Sequence, residues 1–393
     1  MKLLHMSDPH ITEGPRFADQ AAVLQAIVQS AAAGQVDASL VVGDLAGIPV
    51  PHVATVAERA LLASFFQALA AFGPVVIVRG NHDDPDDIQL YRRLSGPYPI
   101  VVSTTPDVFH FEKLRNGLEG LDVFTLPWLT TASVGHALVS AGAPVGLELV
   151  RAEAITMFQA FVREWIASVP RQSDPRVLAA HIAIGGAKLA GGEVLLGHDV
   201  ELPAALLASL DVDYVALGHV HLQQEVAPRV HYCGSPSAHS FGEPDAKGWW
   251  LVRIDEAREL HMARVPSPAP RVVTIEATWN IEADAWEIRN DNVTIEPGAE
   301  IRVKAHIPET LVGTVDMAGL ERLVGAWDPS RIVIDRKVVV TERVRSAAMA
   351  RAQSIHEQAV LTLDTLEPPV DAATAARVLA CVDDVVAACG FTN

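Results

Sequence analysis

Leu3-Leu4-His5-Met6-Ser7-Asp8-Pro9-His10 opens the chain with a short apolar run that ends abruptly in a carboxylate and an imidazole two residues apart. The same arrangement, an apolar run followed at once by a polar motif, returns four times. Gly43-Asp44 follows residues 39–42, Gly80-Asn81-His82-Asp83 follows 75–78, His181 follows 177–180, and Gly218-His219-Val220-His221 follows 214–217. Runs of four residues, three or all of them apolar, bounded by turn formers read as strands buried on both faces.

Helical patterns fill the intervals. Residues 19–33 put Val23, Leu24, Ile27, Val28 and Ala31 on one face, with Gly34 expected to end the helix. Thr55-x-x-Glu58 is a capping box, and its helix carries Leu61, Leu62, Phe65, Phe66 and Leu69 before Gly73-Pro74 stops it. Further helices are expected at 149–169 and 203–210. Strands alternating with helices predict an α/β fold.

In such a sheet the carboxyl ends of the strands converge on one crevice, so residues distant in sequence can meet there. The types gathered suit two divalent cations held a few ångströms apart. Asp44 is the natural bridging carboxylate; Asp8, His10 and His221 are assigned to one ion, and Asn81, His181 and His219 to the other. A mixed oxygen and imidazole set without cysteine favours manganese, iron or zinc over a structural zinc cage. The glycines before Asp44, Asn81 and His219 are expected to turn the backbone sharply and bring the ligands close. Any one motif also suits an ordinary loop; five in this order, each after an apolar run, do not. His82 is the candidate proton donor, and its competing role is a hydrogen bond that shapes the loop. The remaining histidines, His5, His52, His110, His136, His198, His231, His239, His261, His306 and His356, lack this setting and are assigned to surface or core, with His198 and His239 the two considered for a place near the crevice.

The chain has 393 residues, half of them hydrophobic and a fifth charged, enough for two or three domains. Pro266-Ser267-Pro268-Ala269-Pro270 reads as a linker. Beyond it, 271–340 gives β-like runs (272–275, 301–306, 332–340) around a helix near 317–324, and 341–393 is helical with a proline break at Glu367-Pro368-Pro369. Cys233, Cys381 and Cys389 are too few and too scattered for a disulfide framework. A charged motif at Asp8 leaves no room for a signal peptide, and no apolar run approaches the roughly 20 residues that cross a bilayer. A soluble cytoplasmic protein without membrane contact is expected. The net charge of −18 opposes non-specific nucleic-acid binding, although it averages over the surface and omits bound cations.

The five motifs resemble those of the calcineurin-like metallophosphoesterases. The opening octapeptide, the stretch 213–221, Tyr232-Cys233-Gly234-Ser235-Pro236 and Ser240-Phe241-Gly242-Glu243 are similar to SbcD-type nucleases in particular. The likeness is strong over 1–255, weaker over 271–340 and positional beyond. It implies a four-layer αββα phosphoesterase domain at 1–265, a small α+β capping domain at 271–340 and a helical tail at 341–393, with 345–390 placed to bind an SbcC-like coiled-coil ATPase. It further implies two divalent ions, manganese first with iron or zinc as alternatives, and a DNA exonuclease or endonuclease serving repair or recombination; a homodimer is left open. A small-molecule diesterase of the cyclic-nucleotide type uses the same ligands, and a mainly structural adaptor for the ATPase is the reading from another class. The chain departs from the family at Ile11-Thr12-Glu13-Gly14, where Leu-Gly is common, and at Gly47, where some relatives carry histidine.

Overall fold

The structure is a computed structural model. It describes residues 1–47, 51–112, 114–115, 120–130, 134, 150–171, 175–190, 200–289, 294–339, 354–364, 366 and 369–388. The expectations for His136, His198, Cys389, Glu367-Pro368 and residues 341–353 therefore lie outside the described residues.

The chain begins β1 (Lys2–Met6), α1 (Phe17–Gly34), β2 (Ala38–Val42), α2 (Val56–Leu69), β3 (Val75–Val78) and β4 (Ile100–Ser103). It continues β5 (Asp107–Phe111), β6 (Leu121–Leu126), α3 (Val150–Ser168), β7 (Arg176–His181), α4 (Ala204–Ser209), β8 (Tyr214–Gly218), β9 (Gln224–Ala227), β10 (Val230–Tyr232), β11 (Gly248–Ile254) and β12 (Leu260–Pro266). These strands form two six-stranded sheets, β12-β11-β1-β2-β3-β4 and β5-β6-β7-β8-β10-β9. The central strands are parallel, joined by crossovers, while β11 and β12 return antiparallel beside β1.

Side-chain alternation explains the layering. Leu3, Leu40, Val42, Val76 and Val78 of the first sheet meet Leu121, Val123, Val177, Ala179 and Ala216 of the second. Their neighbours Leu4, Met6, Val41, Val75 and Ile77 face the other way, onto Val23, Leu24 and Ile27 of α1 and Leu62 and Phe66 of α2. On the far side Phe124, Leu178, Ala180, Val215 and Leu217 receive Phe158, Val162 and Ile166 of α3 and Leu206 and Leu207 of α4. The result is the expected α/β fold in αββα layers. Each fully buried Leu, Val or Phe contributes about 1.5–3 kcal/mol by leaving water, which fixes the strand ends against one another.

The capping box at Thr55 and Glu58 forms with both of its hydrogen bonds. Gly34 ends the helix, as expected. It is the last residue of α1, and the left-handed cap is Gln35 with φ 51°. A Cβ on Gly34 would stand 3.2 Å from Leu251 of β11, so this glycine serves close packing of helix on sheet.

The chain divides into two compact units, the described parts of 1–275, 290–303 and 321–333 in one and of 276–289, 304–320 and 334–393 in the other. The remaining elements are β13 (Val272–Asn280), β14 (Ala285–Arg289), β15 (Glu300–Pro308), α5 (Met317–Gly325), β16 (Arg331–Val339), α6 (Ile355–Asp364) and α7 (Ala372–Ala388). Four of these strands make a third sheet, β14-β13-β15-β16. In the second unit Trp279 and Trp286 meet edge to face at 5.3 Å, and Trp286 donates to the Asp316 carbonyl at 2.7 Å. Among the described residues no helix is long and apolar enough to cross a membrane.

Candidate metal centre

Every sequence-predicted site residue of the first sheet leaves the carboxyl end of a strand: Asp8 and His10 after β1, Asp44 after β2, Asn81 and His82 after β3. The second sheet supplies His181, the last residue of β7, and His219 and His221 just beyond β8. Asp8, His10, Asp44 and His219 all have positive φ, between 41° and 101°. Such conformations are costly for residues with a Cβ and persist where the surroundings enforce them, which is common at functional sites.

The three glycines act in two ways. Gly43 has φ 83° and turns the chain into Asp44. Gly80 and Gly218 are needed for room: a Cβ would stand 2.1 Å from Asp44 Oδ1 in the first case and 1.9 Å from the Val42 carbonyl oxygen in the second.

Two ligand groups share Asp44. In one, Asp44 joins His181 and His219; in the other it joins His10 and His82; within each group the candidate ligand atoms lie within 4.8 Å of one another. Asp44 Oδ2 is 3.3 Å from His181 Nε2, 3.7 Å from His10 Nε2 and 3.9 Å from His82 Nε2. Asn81 Oδ1 lies 3.1 Å from both His181 Nε2 and His219 Nδ1. Asp8 receives the His219 backbone N–H on both carboxylate oxygens, at 3.1 and 3.0 Å. Thus the seven candidate ligands and His82 occupy one crevice. Asp44, His82, His219, His221 and Glu243 line its cavity of about 640 Å³.

Supporting groups set the orientation of these residues. His10 Nδ1 donates to the Gly47 carbonyl at 2.6 Å, which fixes its tautomer and leaves Nε2 as the lone-pair nitrogen. That buried Nε2 has no hydrogen-bond partner among the described residues. A buried imidazole nitrogen without a partner, set in a ring of carboxylate, amide and imidazole donors, is what a divalent cation requires. The residues fit the group. His181 Nδ1 is likewise anchored on the Val42 carbonyl, 2.8 Å away.

Charge distribution within the protein follows burial and neighbours. Burial alone would raise Asp44, but His181 and then His10 and His82 hold its carboxyl well below the usual range. Burial works downward on His181, and Asp44 overcomes it, raising the imidazole to about 9. Burial and the His181 charge lower His219 to about 3, and burial likewise lowers His10. The crevice therefore offers neutral His10 and His219 imidazoles beside an ionised Asp44, while His181 carries a proton that a bound cation would displace.

Four contributors escaped the sequence reading. Asp83 accepts the backbone N–H groups of Asp44, Leu45 and Gly80 at 2.9, 2.8 and 2.8 Å, tying two ligand loops together. Burial and the Asp44 charge push its carboxyl up to about 6. Glu243 lies 3.3 Å from His221 Nδ1 and is itself held by Lys247 Nζ at 2.6 Å. His239, assigned above to surface or core with a place near the crevice considered, groups with His10 and His221. The His52 ring fills the space beside Gly47, where a Cβ would stand 2.0 Å from its Cγ, and pairs with Glu58 at 2.9 Å. Asp83 and Glu243 belong to motifs already singled out by sequence, so a carboxylate within reach of a ligand loop was the available signal; His52 and His239 carry none in their local sequence.

The sequence model of the calcineurin-like phosphoesterase family matches residues 1–223. The chain is also 30% identical to the SbcD subunit of the SbcCD nuclease of Bacillus subtilis, over 77% of this chain and 79% of that protein. The chain belongs to the calcineurin-like phosphoesterases. A second member, the SbcD subunit of the SbcCD nuclease of Escherichia coli K12, is 26% identical over 62% of each chain, so this chain spans under two thirds of that relative. Among solved structures a dimetal phosphatase from Danio rerio aligns over 68% of this chain and 96% of its own, with 12% identity and a TM-score of 0.40. Calcineurin-like phosphoesterases are metal-dependent hydrolases of phosphoesters, and the family implies a centre for two divalent ions, for which the two groups that share Asp44 are candidate ligands.

Proposed function

We propose that this protein is the nuclease subunit of an SbcCD-like complex, a phosphodiesterase that cuts DNA during repair or recombination in the cytoplasm, with manganese as the preferred metal. The observation that carries the reading is Asp44 shared between two ligand groups on the wall of an open cavity, with His82 beside it. Relatives that are SbcD subunits of SbcCD nucleases support the substrate class.

Two divalent ions in such a centre neutralise charge on the phosphoryl oxygens and acidify water. The chain's own residues do the rest. Asp44 would be shared by the two ions; Asp8, His10 and His221 would hold the first, and Asn81, His181 and His219 the second. Glu243 and Lys247 hold His221 in orientation. The His82 backbone N–H donates to Asp44 Oδ1 at 2.9 Å, so the loop that carries Asn81 is registered on the bridging carboxylate. His82 then reaches into the cavity to protonate the leaving oxygen, a contribution of about 10²–10⁴-fold.

In this reading 1–265 is the nuclease domain, 271–340 caps the DNA, and 341–393 carries the ATPase-binding helices. The pair α6 and α7 supports the last assignment. Between them Ile355, Val378, Cys381, Val382, Val385 and Val386 line an apolar groove of about 540 Å³, a shape suited to an amphipathic helix of a coiled coil.

The net charge of −18 favours a second reading, hydrolysis of a small diester. One experiment separates the two: purified protein with linear and hairpin DNA, with and without manganese, beside a small chromogenic diester. Manganese-dependent DNA cleavage is expected. Hydrolysis of the small diester with intact DNA assigns the small substrate instead, and no hydrolysis of either leaves the adaptor role.

A further inference from the structure

His239 lies outside the five motifs, on the segment that follows β10, yet its ring centroid stands 4.5 Å from that of His10 and 4.8 Å from that of His221. One candidate ligand nitrogen from each of the three rings falls within 4.8 Å of the others. His239 Nε2 is 3.1 Å from the Asp8 carbonyl oxygen. A carbonyl only accepts, so Nε2 carries the proton and Nδ1 keeps its lone pair.

The segment is clamped. Arg16 Nη1 donates to the carbonyls of Ala238 and His239 at 3.0 and 3.3 Å. Its Nε and Nη2 grip Glu300 Oε1 and Oε2 at 2.8 and 2.6 Å, and its guanidinium lies 5.7 Å over the Phe241 ring. A bidentate carboxylate partner fixes the guanidinium plane, so the two backbone carbonyls, and with them the His239 ring, are located by a rigid part.

Resting on the two-ion reading above, we propose that His239 is a further nitrogen donor to the ion held by Asp8, His10 and His221, with Arg16 as its positioning residue. A third imidazole makes that position richer in nitrogen than its neighbour. Imidazole ligands favour iron, cobalt and zinc over manganese and magnesium, which prefer oxygen, so the first position should discriminate among metals more sharply than the second.

The test compares wild type, His239→Ala and His239→Gln in full-length protein, by calorimetric titration with cobalt and with manganese and by the visible spectrum of the cobalt form. Wild type should bind two ions. In both variants the affinity of one site for cobalt should fall by about 10–100-fold, with a smaller loss for manganese, and the cobalt bands of that site should change. Arg16→Lys should give an intermediate loss. Thermal unfolding of each variant establishes that it is folded; the glutamine variant, which can still donate to the Asp8 carbonyl, serves if the alanine variant is not. Two cobalt ions bound at wild-type affinity with an unaltered spectrum overturn the proposal, as does equal weakening of both sites without spectral change, which makes the ring a structural prop. Fewer than two ions on wild type sinks the two-ion reading itself, a different result.

Discussion

Asp44 Oδ2 lies 3.3 Å from His181 Nε2, joining the end of a strand in one sheet to the end of a strand in the other. The contact crosses the plane where the two sheets pack, so the bridge between the ligand groups is also the point where the layers meet. Both members are buried, Asp44 at 1% and His181 at 0% exposure, and each stabilises the charged form of its partner.

Replacing Asp44 with asparagine keeps the volume and removes the charge that offsets repulsion between two cations. Metal content after dialysis should fall from two tightly bound ions to one or none, and diester turnover by on the order of 100-fold or more. Atomic emission analysis decides the first and a chromogenic diester the second. Two ions held at wild-type affinity would remove Asp44 from the bridging position.

His82→Asn should do the opposite. Asn81 and Asp44 stay in place, because the loop is held through the backbone N–H of residue 82 and through Asp83. Two ions should bind as in wild type while kcat falls by about 10²–10⁴-fold. Loss of metal in parallel with activity would assign His82 to the structure of the loop.

The parts legible in the sequence were those in which local pattern and long-range packing agree. Residues 39–42, 75–78 and 177–180 read as strands because both of their faces are buried, and the motifs stand at their ends because backbone leaving a sheet needs turn formers. The edges were less visible: β12 and β9 are half exposed, and β14 is a five-residue hairpin strand whose alternation is too short to stand out. His239 was illegible for another reason. Its neighbours Ser-Pro-Ser-Ala carry no ligand spacing, and its position depends on Arg16 and Glu300, which are far away in sequence. Gly34 marked the end of the helix but not its own role, because a glycine at a helix end serves either the left-handed cap or close packing, and only the distance to Leu251 tells which.

Gly80→Ala tests the close approach directly. The added Cβ would stand 2.1 Å from Asp44 Oδ1 and 2.4 Å from the Asp44 backbone nitrogen, and backbone cannot swing aside as the end of a flexible side chain can. The Asn81 loop must therefore move away from Asp44, at a cost of about 1–3 kcal/mol. Calorimetric titration should show weaker binding of both ions and thermal unfolding a lower Tm. Gly14→Ala is the control, since nothing lies within 4 Å of its Cβ; equal effects at the two positions would refute the steric argument.

His5 gives the protein an acid-sensitive core. Its Nε2 donates to the Leu217 carbonyl at 3.1 Å, so Nδ1 must accept from the Tyr214 hydroxyl, at 2.7 Å. That pair of bonds requires the neutral ring, and burial lowers the imidazole to about 3 from an ordinary value of 6.5. The unfolded chain thus binds a proton at this site between pH 6.5 and about 3 and the folded chain does not, so stability is full above 6.5 and declines as the pH falls, by up to about 1.4 kcal/mol per pH unit from this group. Urea unfolding of metal-free wild type and His5→Gln at a series of pH values between 7.5 and 4.5 isolates the contribution. The variant should be less stable at pH 7.5 and lose stability more slowly on acidification; parallel slopes for the two proteins would show that His5 is not the group being protonated.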